Sequence, residues 1–216
     1  MEYNVQTFLT EQTRPFYERV INIVKDLEEI THTKVVIFGG FIRNIIECYF
    51  NPSIVFKIND VDIWFLNGHS LTTWERSVTH IYNQINICHN SSKKDFHHYG
   101  ISEHRIDYGV IKMTIDDIKF DMCTRINGFT TFDTLTDFVC NNLYIDINGN
   151  INIRVKCEYP INDIIEQIKN KKLIAMLDKE FIETECLTYW NPNDKQFYED
   201  KWKYREDKML SYGYNY

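Results

Sequence analysis

The chain contains 216 residues, of which 44% are hydrophobic and 25% are charged. This balance is typical of a globular protein with one large domain or two small ones, and it excludes the fibrous, low-complexity and disulfide-scaffold classes. Lysine and arginine number 24 against 31 aspartates and glutamates, which gives a net charge of -7. This charge argues against a protein that coats nucleic acid through bulk positive charge, so a polyanionic substrate has to be held locally or through a metal.

The sequence carries no signal for secretion or membrane insertion. Its first residues lack the basic and apolar regions of a secretory signal, and no apolar run approaches the roughly 20 residues that span a bilayer. The cysteines are scattered without a Cys-x-x-Cys pair, which indicates buried, reduced thiols rather than a zinc site or a disulfide framework. They are Cys48, Cys88, Cys123, Cys140, Cys157 and Cys186. We therefore expect a cytoplasmic protein with no membrane partner.

The first quarter of the chain predicts two helices with a short strand between them. Apolar residues recur at helical spacing from Arg14 to Ile30, and the β-branched run Val35–Phe38 predicts a strand. The strand stops at Gly39 and Gly40, after which helical spacing resumes. Glycines let a ligand approach the backbone closely, and the N–H groups that open a helix bind phosphate oxygens. The unit therefore predicts a phosphate site, although Gly-Gly before a helix is also common in plain turns.

The segment Asp60–Phe65 alternates acidic and apolar residues. In a strand, Asp60 and Asp62 project from the same face, where their charges repel unless a cation lies between them. Oxygen ligands without nearby cysteine or histidine favour Mg²⁺ or Mn²⁺ over zinc. A solvated sheet edge is the alternative interpretation of the same pattern.

The rest of the chain predicts a mixture of helices and strands. The predicted elements are a helix over Leu71–Ile87, a loop over Ser91–His104, a hairpin of Tyr108–Ile115 and Ile118–Thr124, a strand pair within Leu143–Ile153 and a helix over Ile161–Leu177. The second strand of the hairpin carries Asp121, which is a third candidate carboxylate for metal binding. The aromatic tail is expected to pack through Trp202 and to fray at its last tyrosines. Four histidines are candidate metal ligands, although their spacing is more typical of a solvated loop: His89, His97, His98 and His104.

Four segments together resemble one enzyme family. Residues 36–44 resemble a GGxxRD motif, residues 60–62 a DxD motif, residues 137–146 the segment DFTINALAYD, and residues 166–171 the stretch EDLKNK that comes later in the same family. These are motifs of the polymerase-β-like nucleotidyltransferases, in the branch of bacterial CCA-adding enzymes and poly(A) polymerases. The resemblance covers roughly residues 35–175.

The resemblance implies an α+β fold, a nucleotidyltransferase palm whose mixed sheet is flanked by helices. It implies that residues 1–155 form the palm with an N-terminal helix, and residues 156–216 a short, mainly helical, neck-like extension. The implied reaction is transfer of a nucleoside monophosphate from an NTP to a hydroxyl acceptor, with release of pyrophosphate and two Mg²⁺ or Mn²⁺ ions. An RNA 3′ end is the preferred acceptor, and DNA is not expected as a partner.

The same resemblance assigns roles to individual residues. Asp60, Asp62 and Asp121 are implied to be the catalytic, metal-binding carboxylates. The implied nucleotide-binding residues are Gly39, Gly40, Arg43 and Asn141.

Two departures from the family pattern keep other functions open. Asn44 stands where the family has aspartate after Arg43, and Leu135–Thr136 replaces an Arg-Arg pair. They motivate the alternative of a catalytically silent palm that acts as a nucleotide-sensing or RNA-associated binding module. A purely structural protein is a third interpretation, which predicts that the three carboxylates do not converge.

Overall fold

The computed structural model describes residues 3–66, 81–101, 106–125, 136–176 and 194–216, with the backbone alone described for residues 93–101, 106–109, 124–125 and 194–201. Within these residues one sheet is formed by the strands Tyr3–Asn4 (β1), Val35–Phe38 (β2), Val61–Phe65 (β3), Ser91–Ile101 (β4), Ile106–Ile115 (β5), Ile118–Arg125 (β6), Leu143–Ile145 (β7) and Asn150–Ile153 (β8). The strand order is β1-β8-β7-β2-β3-β6-β5-β4. Because β3 and β6 run parallel while the other pairs are antiparallel, the sheet is mixed.

Helices pack against one face of this sheet. They are Arg14–Thr31 (α1), Gly40–Phe50 (α2), Ile161–Lys169 (α3) and Asp194–Ser211 (α4), and residues 81–88 are also helical. The main core joins apolar side chains of α1, α2 and α3 to alternate strand residues such as Ile37, Ile63 and Met122. Each fully buried aliphatic side chain contributes about 1.5–3 kcal/mol. None of the described helices has the length and the apolar composition that crossing a bilayer requires.

A second, smaller apolar cluster lies on the opposite face of the sheet. It consists of the intervening strand residues Val36, Phe38, Trp64, Val110 and Cys123, with Tyr144 packed against them. Alternate residues of the central strands therefore contribute to two apolar layers, one on each face of the sheet. The acidic residues of β3 and β6 fall on this second face, because they occupy the same alternate positions as Trp64 and Cys123.

Several predictions made from local pattern are confirmed. The helix at Arg14, the strand at Val35, the glycine turn with its helix, the acidic strand and both hairpins are all present. The α+β class, with a mixed sheet flanked by helices, is confirmed as well. Of the predicted helix over Leu71–Ile87, residues 81–88 are helical and residues 71–80 lie outside the described part.

Two element predictions are wrong. Ser91–His104 was predicted as a loop, but Ser91–Ile101 forms β4 and pairs with β5 along its length. This strand is at the edge of the sheet, where polar residues are tolerated and periodicity is weak. The helix predicted over Ile161–Leu177 ends at Lys169, because Lys171 adopts a left-handed φ of 53°. Beyond it, Lys172 bridges to Asn215.

The C-terminal segment packs back onto the main core. As predicted, Trp202 packs against this core, with its ring centroid 5.0 Å from that of Phe138. The expected fraying of the last tyrosines is wrong for Tyr214, which is only 2% exposed. Its neighbour Asn215 exchanges backbone hydrogen bonds with Lys171 and Leu173, which fixes the tail in place.

Candidate active site

Asp62 and Asp121 occupy paired positions on adjacent strands and project to the second face of the sheet. Asp62 is the second residue of β3, and Asp121 is its partner on the parallel strand β6. Paired positions on adjacent strands project to the same face. The preceding residues, Val61 and Phe120, are fully buried in the main core, which fixes the direction of both aspartates.

Asp60 lies just before β3 and is exposed, but its charge reaches Asp62. Burial raises the pKa of the Asp62 carboxyl to about 7, and the negative charges of Asp60 and Asp121 add to this effect. The positive charges of Arg154 and Arg205 act in the opposite direction. The anionic form of Asp62 is thus disfavoured until more positive charge comes near it.

The three carboxylates do not form a closed ligand set in this arrangement. Among the described residues, a set with ligand atoms within 4.8 Å of one another exists elsewhere in the molecule, but Asp60, Asp62 and Asp121 do not meet this spacing. Asp121 instead forms an ion pair with Lys112, its partner on β5, whose Nζ lies 3.1 Å from Oδ2 of Asp121. Shared metal binding by all three therefore stays a prediction, which requires side-chain movement.

The backbone at Gly39 closely approaches Asp62. Gly39 has a φ of 72°, which side chains rarely permit, and a Cβ built there would lie 3.2 Å from Oδ2 of Asp62. Two independent constraints therefore require glycine at this position. The turn brings the end of β2 and the start of α2 next to the carboxylate of Asp62.

Helix α2 begins beside this turn without a side-chain cap. Gly40 is its first residue, and the N-cap residue Gly39 has no side chain that could accept from the free N–H groups of the first turn. Such N–H groups, together with the positive end of the helix, attract anions. The predicted phosphate-binding role of both glycines agrees with this placement and stays a prediction.

Arg43 lies inside the protein and is only 5% exposed. Its Nη1 donates to Oδ1 of Asn141 at 2.6 Å and lies 3.0 Å from the sulfur of Met209. Its Nε and Nη2 donate to Oδ1 of Asn44 at 3.2 and 2.9 Å, and Glu47 supplies a counter-charge at 3.8 Å. These contacts are with protein groups, so a direct contact of Arg43 with nucleotide stays a prediction.

Asn141 is held between two charged side chains. It ends a short 3-10 turn, and its Nδ2 donates to Oδ1 of Asp137 at 3.1 Å. The other oxygen of Asp137 accepts from Nη1 of Arg205 at 3.2 Å. A continuous series of contacts thus runs from Arg43 in α2, through Asn141 and Asp137, to Arg205 in α4.

Sequence reasoning missed two arginines near the carboxylates. Arg154 directly follows β8, and its guanidinium lies 4.4 Å above the ring of Phe38; burial lowers its pKa. Arg205 is 45% exposed and lies one helical turn beyond Trp202. No local pattern marks Arg154, whose position depends on the pairing of β7 with β8.

The donor chemistry of this site fits a hard divalent cation. Asp60, Asp62 and Asp121 offer only oxygen ligands, and carboxylate repulsion at Asp62 would be relieved by a cation. Cys123 is also nearby, but burial raises the pKa of its thiol so far that the thiolate is not available. The residues present therefore fit Mg²⁺ or Mn²⁺ better than a soft metal.

Comparison with known proteins gives a match in fold. No protein-family model and no protein of curated function matches the sequence. The Thermotoga maritima CCA-adding enzyme complexed with tRNA is similar in structure, with a TM-score of 0.52 and 15% identity over 86% of this chain and 38% of that chain. A CCA-adding enzyme in complex with CTP has a TM-score of 0.52 and 14% identity over 85% of this chain and 39% of that chain. An apo form has a TM-score of 0.51 and 16% identity over the same shares of the two chains.

This chain spans about two fifths of the length of those enzymes. At such low identity the likeness concerns the fold alone. The match agrees with the mixed sheet flanked by helices. The chain therefore has a fold similar to that seen in CCA-adding enzyme structures.

Proposed function

We propose that this chain is a metal-dependent nucleotidyltransferase. It transfers a nucleoside monophosphate from an NTP to a hydroxyl acceptor and releases pyrophosphate. The observation that carries the proposal is the pairing of Asp62 with Asp121 on neighbouring strands, with the backbone of Gly39 against Asp62. An RNA 3′ end is the preferred acceptor, since the similar structures include CCA-adding enzymes with tRNA and with CTP.

The triphosphate is proposed to bind between the start of α2 and the two arginines. From Gly40 onward the first turn of α2 presents backbone N–H groups, and no side chain of the N-cap residue competes for them. The N–H of Gly39 itself donates to the carbonyl oxygen of Leu143 at 3.3 Å, so Gly39 contributes through its lack of a side chain. Arg154 and Arg205 lie within electrostatic range of Asp62 and supply positive charge near it. This local charge offsets the acidic balance of the chain as a whole.

The carboxylates are proposed to serve the transfer itself. Asp60 and Asp62 would hold the metal ions, which neutralise the phosphates and lower the pKa of the acceptor hydroxyl. The hydroxyl oxygen forms a bond to the α-phosphorus while the bond from that phosphorus to the oxygen of the leaving pyrophosphate breaks. Asp121, whose side chain is 20% exposed, accepts the hydroxyl proton and passes it to solvent.

Asn141 is proposed to contact the sugar or the triphosphate, with Arg43 as a positioning residue. The amide oxygen of Asn141 accepts from Arg43, and its amide nitrogen donates to Asp137, so its orientation is fixed on both sides. A group held in this way loses little conformational freedom when a ligand binds.

The proposal is tested by incubating the full chain with each labelled NTP, Mg²⁺ or Mn²⁺, and RNA acceptors that carry a 3′ hydroxyl. Acceptor extension and pyrophosphate release are measured for the wild type and for Asp60→Ala/Asp62→Ala. Asp163→Asn is the matched control, because Asp163 is an exposed acidic residue at the start of α3. We expect product from the wild type and the control. Equal signals from the wild type and the double variant would refute catalysis.

One observation favours the second candidate function, a catalytically silent palm that binds nucleotide. Lys112 forms an ion pair with Asp121 and so places its ammonium group beside a carboxylate where a metal ion is expected. In that case NTP binds with the same affinity in Mg²⁺ and in EDTA, as calorimetry would show. The catalytic proposal requires tighter NTP binding with Mg²⁺, so this measurement separates the two functions.

A further inference from the structure

A group of metal-ligating side chains lies away from the candidate active site. Among the described residues, ligand atoms of Asp26, Cys88 and His89 lie within 4.8 Å of one another. Asp26 belongs to α1, whereas Cys88 and His89 lie at the end of the helical residues 81–88. The group offers one oxygen, one sulfur and one nitrogen donor.

The imidazole of His89 lies between two carboxylates. Its Nε2 is 2.7 Å from Oδ2 of Asp26, and its Nδ1 is 2.5 Å from Oδ2 of Asp116. The His89 side chain is 12% exposed, while Cys88 is at the surface and leaves an entry path. Burial lowers the pKa of His89, but the hydrogen bonds to Asp116 and Asp26 outweigh it, and the net shift is upward.

Asp116 is held firmly in the turn between β5 and β6. Its Oδ1 accepts from the backbone N–H of Asn90 at 2.9 Å, and its own N–H donates to the carbonyl oxygen of Asn90 at 2.8 Å. Its carbonyl oxygen accepts from Arg19 of α1. A carboxylate fixed on Nδ1 leaves Nε2 as the nitrogen that can bind a metal, which is the usual outer-shell arrangement of a zinc-bound histidine.

We propose that Asp26, Cys88 and His89 bind one zinc ion, with Asp116 orienting the imidazole and water as the fourth ligand. Zinc accepts mixed oxygen, sulfur and nitrogen ligands, which in a tetrahedral site are about 3.3–3.6 Å apart. The contact of 2.7 Å between Asp26 and His89 is slightly shorter than this. Shifts of about an ångström or less at these two atoms would admit the ion, whereas Mg²⁺ does not favour a thiolate ligand.

The zinc site is separate from the carboxylate site. Asp116 lies in the turn before β6, and Asp121 lies three residues beyond the first residue of that strand, Ile118, which is roughly 10 Å along a strand. The ion would join α1 to the end of the helical residues 81–88, with the β5–β6 turn as support. The zinc proposal therefore stands whether or not the proposed transferase activity is confirmed.

Sequence analysis could not predict this site because its ligands are far apart along the chain. Asp26 and His89 are 63 positions apart, so no short motif contains them.

The expectation that the thiols are buried is confirmed for Cys48, Cys123 and Cys140, but Cys88 is exposed. Cys186 and His104 lie outside the described residues, as do the side chains of His97 and His98.

The test uses the full, reduced chain after metal removal with a chelator. Co²⁺ is titrated as a spectroscopic substitute for zinc, and the thiolate-to-cobalt charge-transfer band is recorded. We expect one equivalent of Co²⁺ to produce the band and one equivalent of Zn²⁺ to remove it. Asp60→Ala/Asp62→Ala should retain the band, because that variant changes only the other site.

Further variants identify the ligands. Cys88→Ser and His89→Gln should lose the band, whereas Cys157→Ser should keep it, because Cys157 is a partly accessible thiol outside the group. Asp116→Asn should weaken zinc binding about 10- to 100-fold, measured by competition with a chromophoric chelator.

Absence of the band in the wild type, or its survival in Cys88→Ser, would overturn the proposal. Either result would favour the competing arrangement, in which a protonated His89 joins two carboxylates without a metal. Circular dichroism of each variant establishes that it is folded, and the wild-type titration alone decides the matter if a variant does not fold.

Discussion

Replacing Gly39 by alanine tests whether the turn beside Asp62 has the geometry described. The residue has a positive φ, and its Cα faces the Asp62 carboxylate. Alanine would add a single methyl group without changing charge. We therefore expect a loss of stability that comes from the backbone and from one contact.

The size of the loss follows from these two terms. A non-glycine residue held in a sparsely populated backbone region costs about 1–3 kcal/mol. The added Cβ would lie 3.2 Å from Oδ2 of Asp62, so the carboxylate would have to move by a few tenths of an ångström. For a domain of about this size each 1 kcal/mol corresponds to about 2–4 °C in Tm, so we expect a decrease of roughly 2–12 °C.

Gly40→Ala is the matched control for this experiment. Gly40 is absent from the positive-φ residues, and a Cβ built there would lie 3.4 Å from Nη2 of Arg43, an ordinary contact. Alanine is also the better helix former, so Tm should stay the same or rise. Calorimetry of both variants checks the pair. An equal decrease in both, or no decrease in Gly39→Ala, would show that the described turn is incorrect.

Three further outcomes are expected. The first concerns Asp62, whose pKa is raised to about 7, so that the metal-free wild type should be as stable as Asp62→Asn near pH 4. As the pH rises to about 7, the wild type should lose at most about 4 kcal/mol of stability relative to that variant. A difference in stability that stays constant with pH in urea denaturation would contradict this. Tyr214→Phe removes a buried hydrogen bond to the Glu47 carboxylate and should cost about 1.5–3 kcal/mol in the same assay. Arg205→Ala should cost less than about 1 kcal/mol, because the ion pair with Asp137 is partly exposed, yet weaken NTP binding in calorimetry; unchanged binding would remove Arg205 from the proposed site.

Local periodicity was sufficient to predict the elements that carry the candidate site. The β-branched run at Val35, the paired glycines and the alternation around Asp62 each specify their element within a few residues. Such patterns predict well because the buried face of each element repeats at its own period. The polar strand β4 was missed for the opposite reason, since an edge strand has little buried face to produce a pattern.

The assembly of the site was less accessible to sequence reasoning. Asp62 and Asp121 meet only because β3 and β6 pair in parallel, and that pairing joins strands far apart in the chain. Local pattern supplied each aspartate, and the family resemblance supplied the expectation that they cooperate. Arg154 and Arg205 depend on tertiary docking alone, so neither pattern nor motif marked them.

The buried contacts of Arg43 link the C-terminal tail to the candidate site. Glu47 lies 3.8 Å from Arg43 and 3.5 Å from Lys171, and it accepts a hydrogen bond from Tyr214. Buried ion pairs contribute little net stability, because desolvation offsets their attraction, so stability alone is a weak reason for this arrangement. Its geometric effect is clearer, since the same guanidinium fixes the amide of Asn141. The tail therefore helps to orient a residue of the proposed nucleotide site, although it lies at the far end of the sequence.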